Sequence, residues 1–311
     1  MSEQGIAIIT GIAGGLARMV GAALAERGFQ VVGVDYRKVS DPPDFALQIY
    51  QANYNKTLIE DIFRRHRPTH VLHLGRVGNL KEQAGKRFDL NVLGSRKVMD
   101  LSLKYGARRL VVLSTFHIYG AHPHNHIPIY EDEPLRAGTE FPQIADAIQF
   151  DNQAVTWIYR HRDLPTVLLR PCHIVGPNIN NTISRFLRLP VIPVPMGFSP
   201  MTQFIHEKDI VAAIVAATVG EAPGVFNVAG KSPIPWLEAV SLTGARVVPV
   251  PSSLAALALR ASTRVSSAFP PYMVNFFKFP CVISDAAFRK AFDWAPRVPE
   301  RETIVSTVRG Y

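Results

Sequence analysis

Short apolar runs alternate with amphipathic stretches along the first 170 residues. The runs are Ile6-Ala-Ile-Ile9, Val31-Val-Gly-Val34, Val71-Leu-His-Leu74, Leu110-Val-Val-Leu113 and Thr166-Val-Leu-Leu169. None alternates apolar with polar positions, so each reads as a strand buried on both faces. Between them lie helical patterns: one from the glycines after Thr10 to about Arg27, one near residues 90–105, and one ending near His161. Strand and helix in strict alternation predict right-handed crossovers and a parallel sheet, an α/β fold.

The texture changes past Pro171. Prolines crowd positions 190, 193, 195 and 200, then 249–251 and 270–271. This predicts a smaller, loop-rich lobe. Residues 253–280 are rich in Leu, Ala and Phe and read as a core helix with a lid. In open α/β sheets ligands bind beyond the strand carboxyl ends.

The first strand runs directly into Thr10-Gly11-Ile12-Ala13-Gly14-Gly15-Leu16-Ala17. Gly11 permits a tight turn, Gly14 lets a pyrophosphate approach the backbone, and Ala17 is small enough for close helix–strand packing. The helix that opens there presents unpaired N–H groups and a positive dipole end. Asp35 closes the second strand, where a carboxylate accepts the adenosine ribose hydroxyls and repels a 2′-phosphate. This favours NAD. Arg37 and Lys38 follow at once and keep NADP as the alternative. The fold class expected is a doubly wound parallel Rossmann sheet with a small C-terminal substrate lobe. Residues 1–177 form the dinucleotide-binding domain, rejoined by about 204–230, and 178–203 with 231–311 form the lobe.

Composition narrows the picture. Of 311 residues, 47% are apolar and 19% charged, enough for a large core and against disorder. The net charge is +9, but the basic residues are scattered and not interleaved with aromatics, which argues against a nucleic-acid partner. No run of about 18 apolar residues suggests a membrane span, and the N-terminus does not read as a signal peptide. The two cysteines, Cys172 and Cys281, lie far apart and fit a reducing compartment, so a cytoplasmic location is expected. His122, His124 and His126 alternate in one loop and read as solvated, with no metal expected.

The glycine loop and several later segments resemble the extended and atypical short-chain dehydrogenase/reductases, the NAD-dependent epimerase/dehydratase group. The likeness runs through Val71-Leu-His-Leu-Gly-Arg76, Asn91-Val-Leu-Gly-Ser95, Ser114-Thr-Phe-His-Ile-Tyr-Gly120, Glu131-Asp-Glu-Pro134, Leu169-Arg-Pro-Cys-His-Ile-Val-Gly-Pro177, Phe204-Ile-His-Glu-Lys-Asp-Ile-Val211, Gly224-Val-Phe-Asn-Val-Ala-Gly230 and Phe292-Asp-Trp-Ala-Pro296. It implies an NAD(P)-binding oxidoreductase or isomerase of the epimerase/dehydratase type. It implies a hydroxyl or carbonyl substrate, of which nucleotide sugars are the common case, and a homodimer. It places Gly11, Ile12, Ala13, Gly14, Gly15, Leu16, Asp35, Tyr36, Arg37, Leu74, Gly75, Arg76, Asn91, Leu113, Pro171, Cys172 and His173 around the cofactor.

The same family uses a Ser or Thr with a Tyr–Lys pair spaced i,i+4 on one helix to move the proton that accompanies hydride transfer. Thr115 falls at the Ser/Thr position. Counting back from Leu169-Arg-Pro171 puts the Tyr near Gln143 and the Lys near Ala147. No tyrosine in the chain has Lys four residues later. Three readings follow: an enzyme with substitute acid/base groups, a catalytically silent dinucleotide sensor or scaffold, or chemistry needing no Tyr, such as elimination. His117 and Tyr119 are the substitutes at hand. Continued strand parity from Thr115 would point all three side chains one way.

Overall fold

A computed structural model describes residues 5–78, 82–251 and 272–310. The expected apolar helix and lid lie largely outside them. The chain divides into two compact units. The first gathers the chain up to Ser114, Asp146–Arg170 and Val211–Phe226. The second gathers Thr115–Ala145, Pro171–Ile210 and the chain from Asn227 onward.

The first unit is built on a seven-stranded sheet. Its strands are β1 (Ile6–Thr10), β2 (Gln30–Asp35), β3 (Ala46–Gln51), β4 (His70–His73), β5 (Arg109–Leu113), β6 (Thr166–Pro171) and Gly224–Val228. The order is β3-β2-β1-β4-β5-β6, with Gly224–Val228 beside β6. The pairs β1/β2, β1/β4, β2/β3, β4/β5 and β5/β6 are all parallel. This is the doubly wound Rossmann arrangement expected. The strand order reverses between β1 and β4, the place where such sheets open a ligand crevice.

Why these residues form this sheet is visible in their burial. Ala7, Ile8, Ile9, Val31, Val32, Val71, Leu72, Leu110, Val111 and Leu168 are all fully buried. One face packs on Ile59, Ile62 and Phe63 of helix Thr57–His66 and on Val98 and Met99 of helix Ser95–Lys104. Each such side chain contributes about 1.5–3 kcal/mol on burial. The pattern near residues 90–105 resolves into a wide π turn, Asp89–Gly94, leading into Ser95–Lys104. Strand β3, which no apolar run announces, occupies the sheet edge with its residues half-buried or exposed.

Arg109, at the start of β5, is charged yet only 3% exposed. Its guanidinium donates to the carbonyls of Ala217, Glu221 and Ala222. It satisfies the carbonyls at and beyond the end of helix Glu207–Val219. Burial pulls its pKa down to about 10.

The second unit carries three short strand pairs: His173–Val175 with Phe204–His206, Val191–Pro195 with Arg246–Val250, and Met201–Thr202 with Ile234–Pro235. Pairs this short need other support. Trp236 is fully buried and stacks on Phe277 at 4.3 Å. Arg188 donates to the carbonyls of Thr307, Ile179, Gly176 and Pro177, so one side chain satisfies four backbone oxygens.

Candidate functional site

In the first unit, β1 ends at Thr10 and the chain turns through Gly11 at φ +81°. Only glycine takes that angle without strain, and space gives a second reason. A Cβ at Gly11 would lie 2.7 Å from the Gly75 Cα. The Gly11 N–H donates to the Val34 carbonyl at 2.8 Å and to the Tyr54 hydroxyl at 3.1 Å. Helix Gly15–Ala25 begins behind Gly14, and no side chain caps it. The amides of its first turn therefore keep their anion-binding capacity. These features fit a dinucleotide pyrophosphate. Gly11 and Gly14 would let it approach, and the helix start would supply charge complement.

The expected loop residues divide by role. Ala13, Gly14, Gly15 and Leu16 are half-buried. Ile12 is fully buried and packs where a side chain on Gly33 would sit, so it anchors the loop. Asp35 has no solvent exposure. Its carboxylate accepts from the Ala13 N–H at 3.0 Å and from the Arg37 backbone and guanidinium. Tyr36 is half-buried and Arg37 exposed.

Beyond β4, Leu74 is half-buried, Gly75 buried and Arg76 exposed. Asn91 is committed to this loop. Its side chain accepts from the Val77 N–H at 2.8 Å and donates to the Val77 carbonyl at 3.0 Å and to Asp146 at 2.6 Å. Leu113 is half-buried at the end of β5. Tyr54, which no spacing pattern singles out, is 1% exposed and presses its hydroxyl against Gly75.

A directed hydrogen-bond chain braces the two glycine turns. The Gly75 N–H donates to Thr10 Oγ1 at 3.1 Å, and Thr10 Oγ1 lies 2.8 Å from His73 Nδ1. His73 Nε2 lies 2.7 Å from Ser95 Oγ, which donates to the Asn91 carbonyl. Ser95 spends its proton on that carbonyl, so His73 Nε2–H must donate to Ser95. Nδ1 then accepts the Thr10 proton. The ring is neutral, and burial pulls its pKa down to about 4.

Helix Ala145–Arg160 carries Asp151 at its buried face, and Gln143, the position expected for the Tyr, lies in the 3-10 turn Pro142–Ile144 before it. Asp151 accepts from Ser114 Oγ at 2.6 Å and from both ends of the Arg170 fork, at 2.6 and 3.1 Å. This ion pair ties the ends of β5 and β6 to that helix. Ala147 is 4% exposed.

In the second unit, Thr115 is extended and caps a 3-10 turn, Phe116–Tyr119. The winding of that turn breaks the strand parity expected of Thr115, His117 and Tyr119. Thr115 Oγ1 and His117 Nδ1 are 2.8 Å apart, and the His117 N–H donates back to the same oxygen at 3.4 Å. His117 is half-buried among rings: Phe116 at 4.6 Å, Phe276 at 4.9 Å, His173 at 5.2 Å and Tyr272 at 5.9 Å. Tyr119 goes elsewhere. Its hydroxyl is buried and donates to Asn227 Oδ1 at 2.8 Å, and the Asn227 N–H donates to Glu131.

Pro171, Cys172 and His173 are buried. The Cys172 N–H donates to the Val228 carbonyl at 2.9 Å, and burial pushes its thiol pKa up, which disfavours the thiolate. Burial pulls the His173 pKa down to about 3. Its Nδ1 has no hydrogen-bond partner among the described residues.

Comparison with known proteins bears on both units. The family model described as the NAD dependent epimerase/dehydratase family matches residues 7–229. An uncharacterized protein of Mycobacterium tuberculosis is 26% identical over 209 residues, covering 66% of this chain and 55% of that protein. The chain thus spans about half the length of that curated relative. A 3-diazoavenalumate denitrifying reductase of a Streptomyces species is 28% identical over 245 residues, covering 74% of this chain and 78% of that one. The solved structure of the Bordetella bronchiseptica enzyme WbmG, in complex with NAD and UDP, matches with a TM-score of 0.75 at 21% identity. It covers 97% of this chain and 92% of the other, and it shows the shared fold.

Proposed function

This chain belongs to the NAD-dependent epimerase/dehydratase family, and from that premise we propose that it is an oxidoreductase whose proton-handling pair is Thr115 with His117. NAD, which the Gly11–Leu16 loop and Asp35 would hold, would supply hydride transfer at a substrate carbon bearing a hydroxyl or carbonyl. The observation that carries the reading is the 2.8 Å contact between Thr115 Oγ1 and His117 Nδ1.

Removing hydride from a C–OH carbon requires its oxygen to lose a proton. A threonine hydroxyl is too weak a base to keep it. Thr115 Oγ1 would accept the substrate proton while passing its own to His117 Nδ1. In the reverse direction the same two protons move back. Imidazole suits this because its ordinary pKa lies near neutrality. The arrangement follows the logic of hydroxyl–imidazole pairs in which the ring takes the proton that the hydroxyl cannot hold.

Nucleotide sugars are the first substrate class in this reading, supported by the NAD and UDP bound to WbmG. A cytoplasmic homodimer completes the reading. No described helix is long and apolar enough to cross a membrane.

The test follows nicotinamide absorbance while a panel of nucleotide sugars and simple carbonyl compounds is added to the NAD- or NADH-loaded protein. At least one member should change the absorbance, or yield an epimer by chromatography. Thr115→Val should lower that turnover by about 10²–10⁴-fold with the dinucleotide affinity unchanged. Tight NAD binding with no turnover across the panel would favour the second reading, a silent dinucleotide-binding protein. That reading draws on the chain having no tyrosine followed four residues later by Lys.

A further inference from the structure

A parallel sheet puts every loop that enters a strand at one end and every loop that leaves a strand at the other. The glycine turn and Asp35 occupy the leaving end. The entering end collects arginines that stand far apart in the chain. Arg67 precedes β4, Arg108 precedes β5 and Arg162 precedes β6. These three strands are parallel neighbours. Adjacent strands run about 4.8 Å apart, so the three loops stand within about 10 Å of sheet edge.

All three arginines are exposed, and among the described residues no carboxylate pairs with any of them. A basic residue at a helix end ordinarily offsets the dipole there. Arg64 and Lys104, in the last turns of helices Thr57–His66 and Ser95–Lys104, do so, and they pair with Asp61 and Glu60. Arg67, Arg108 and Arg162 lie past the helix ends. His70, at the start of β4, feels this charge: burial pulls its pKa down, and Arg109 and Arg108 pull it further. The exposed acids at this end, Glu26, Asp163 and Glu221, are outnumbered by the arginines.

Apolar surface accompanies the charge. Tyr159, in the last turn of helix Ala145–Arg160, is 70% exposed, and Val219, which ends helix Glu207–Val219, is 52% exposed. The bonds from Arg109 to the Ala217, Glu221 and Ala222 carbonyls bring that second helix end to the start of β5. Unpaired arginines with a tyrosine and an aliphatic side chain among them complement an anionic lipid surface. A single-stranded nucleic acid needs open rings for its bases. Here Arg67 covers Tyr105 at 5.0 Å and His161 covers Trp157 at 3.9 Å.

We propose that the strand-entering end of the first unit docks on an anionic phospholipid membrane, with Arg67, Arg108 and Arg162 on the headgroup phosphates and Tyr159 at the headgroup boundary. The glycine turn, at the opposite end of the sheet, takes no part in this contact.

Vesicle sedimentation tests it with the 311-residue chain. Vesicles of equal parts phosphatidylcholine and phosphatidylserine should bind the protein, and vesicles of phosphatidylcholine alone should not. Binding should weaken steeply between about 0.1 and 1 M salt, as the Debye length shrinks from about 10 to about 3 Å. Replacing Arg67, Arg108 and Arg162 together with Ala should lower the partition about 100-fold, at about fivefold for each arginine. The single variants keep the series readable if the triple variant unfolds, which thermal unfolding reports. The same loss of charge at the exposed Lys290, Arg297 and Arg301 of the second unit should lower the partition less than about fivefold. The inference is overturned if the unmodified protein ignores the anionic vesicles, or if both triple variants lose equally. It is also overturned if the protein binds a single-stranded RNA oligonucleotide through these arginines and leaves the vesicles alone.

Discussion

Two buried histidines, one in each unit, share a residue type, complete burial and a pKa drawn well below the ordinary value. They differ in partners. In the first unit, Thr10 and Ser95 occupy both ring nitrogens of His73, and the chain of donors ends on a backbone carbonyl. In the second, His173 Nδ1 has no hydrogen-bond partner among the described residues, and the ring stands 5.2 Å from His117. The lesson is that burial and a shifted pKa do not separate a brace from a reactive group. Accounting for partners does. A satisfied network rigidifies what it touches, whereas an unsatisfied buried nitrogen is a cost that a site retains for a reason.

The largest effect expected from breaking this contrast is on the second unit. His117→Ala removes the proton acceptor beside Thr115. It should lower turnover by about 10²–10⁴-fold, equivalent to about 3–5 kcal/mol of transition-state stabilisation. Dinucleotide affinity should not move, because the residues proposed to hold the cofactor phosphates lie in the first unit. Steady-state kinetics paired with a binding titration checks both halves. A variant with full activity would remove His117 from the proposed pair.

How much of this was legible in the sequence depends on the range of the interaction. β1, β2, β5 and β6 were legible because strands buried on both faces become uninterrupted apolar runs. β3 was not, because an edge strand with exposed Leu47 shows neither an apolar run nor clean alternation. The glycine turn and Asp35 could be found because a pyrophosphate site needs glycines and an acid at nearly fixed spacing. The brace behind them could not. His73 meets partners 63 and 22 residues away, and Tyr54 reaches Gly11 across 43 residues. The parity read through Thr115, His117 and Tyr119 fails because a 3-10 turn replaces the strand after Thr115. Arg109 illustrates the same limit. It is a charged residue at the start of an apolar run, and the fold uses it to close a helix end.

The second prediction concerns pH and sharpens the brace side of the comparison. The folded-state pKa of His73, about 4, lies below the unfolded value near 6.5. Between those values the unfolded chain binds more protons, so stability rises with pH there. The contribution of His73 is therefore fully present above pH 6.5 and is lost as pH falls toward 4. Its size is about 3 kcal/mol. His173 acts with the same sign. Urea unfolding of the unmodified protein at several pH values between 7 and 4 should show this decline. His73→Gln, which cannot titrate, should flatten the curve by about 3 kcal/mol over that range while starting lower at pH 7. An unchanged slope in the variant would mean that His73 is charged when folded, and the directed hydrogen-bond chain would be wrong.

The smallest effect expected is at Tyr119, and it decides whether this residue belongs to the brace or to the chemistry. Its hydroxyl is buried and donates to Asn227 Oδ1, and the Asn227 backbone is held by Glu131. Tyr119→Phe keeps the ring and its packing but leaves a fully buried amide oxygen without that donor. An unsatisfied group of this kind costs about 1–2 kcal/mol, read as a lower urea midpoint at unchanged m-value. Turnover should stay within about twofold, because a phenol committed to an amide oxygen has no proton to lend. The opposite outcome, unchanged stability with turnover down by about 10²-fold or more, would assign Tyr119 to proton transfer. Thr115–His117 would then be only part of the pathway. The two outcomes separate cleanly because a proton donor is measured in the rate and a brace in the unfolding free energy.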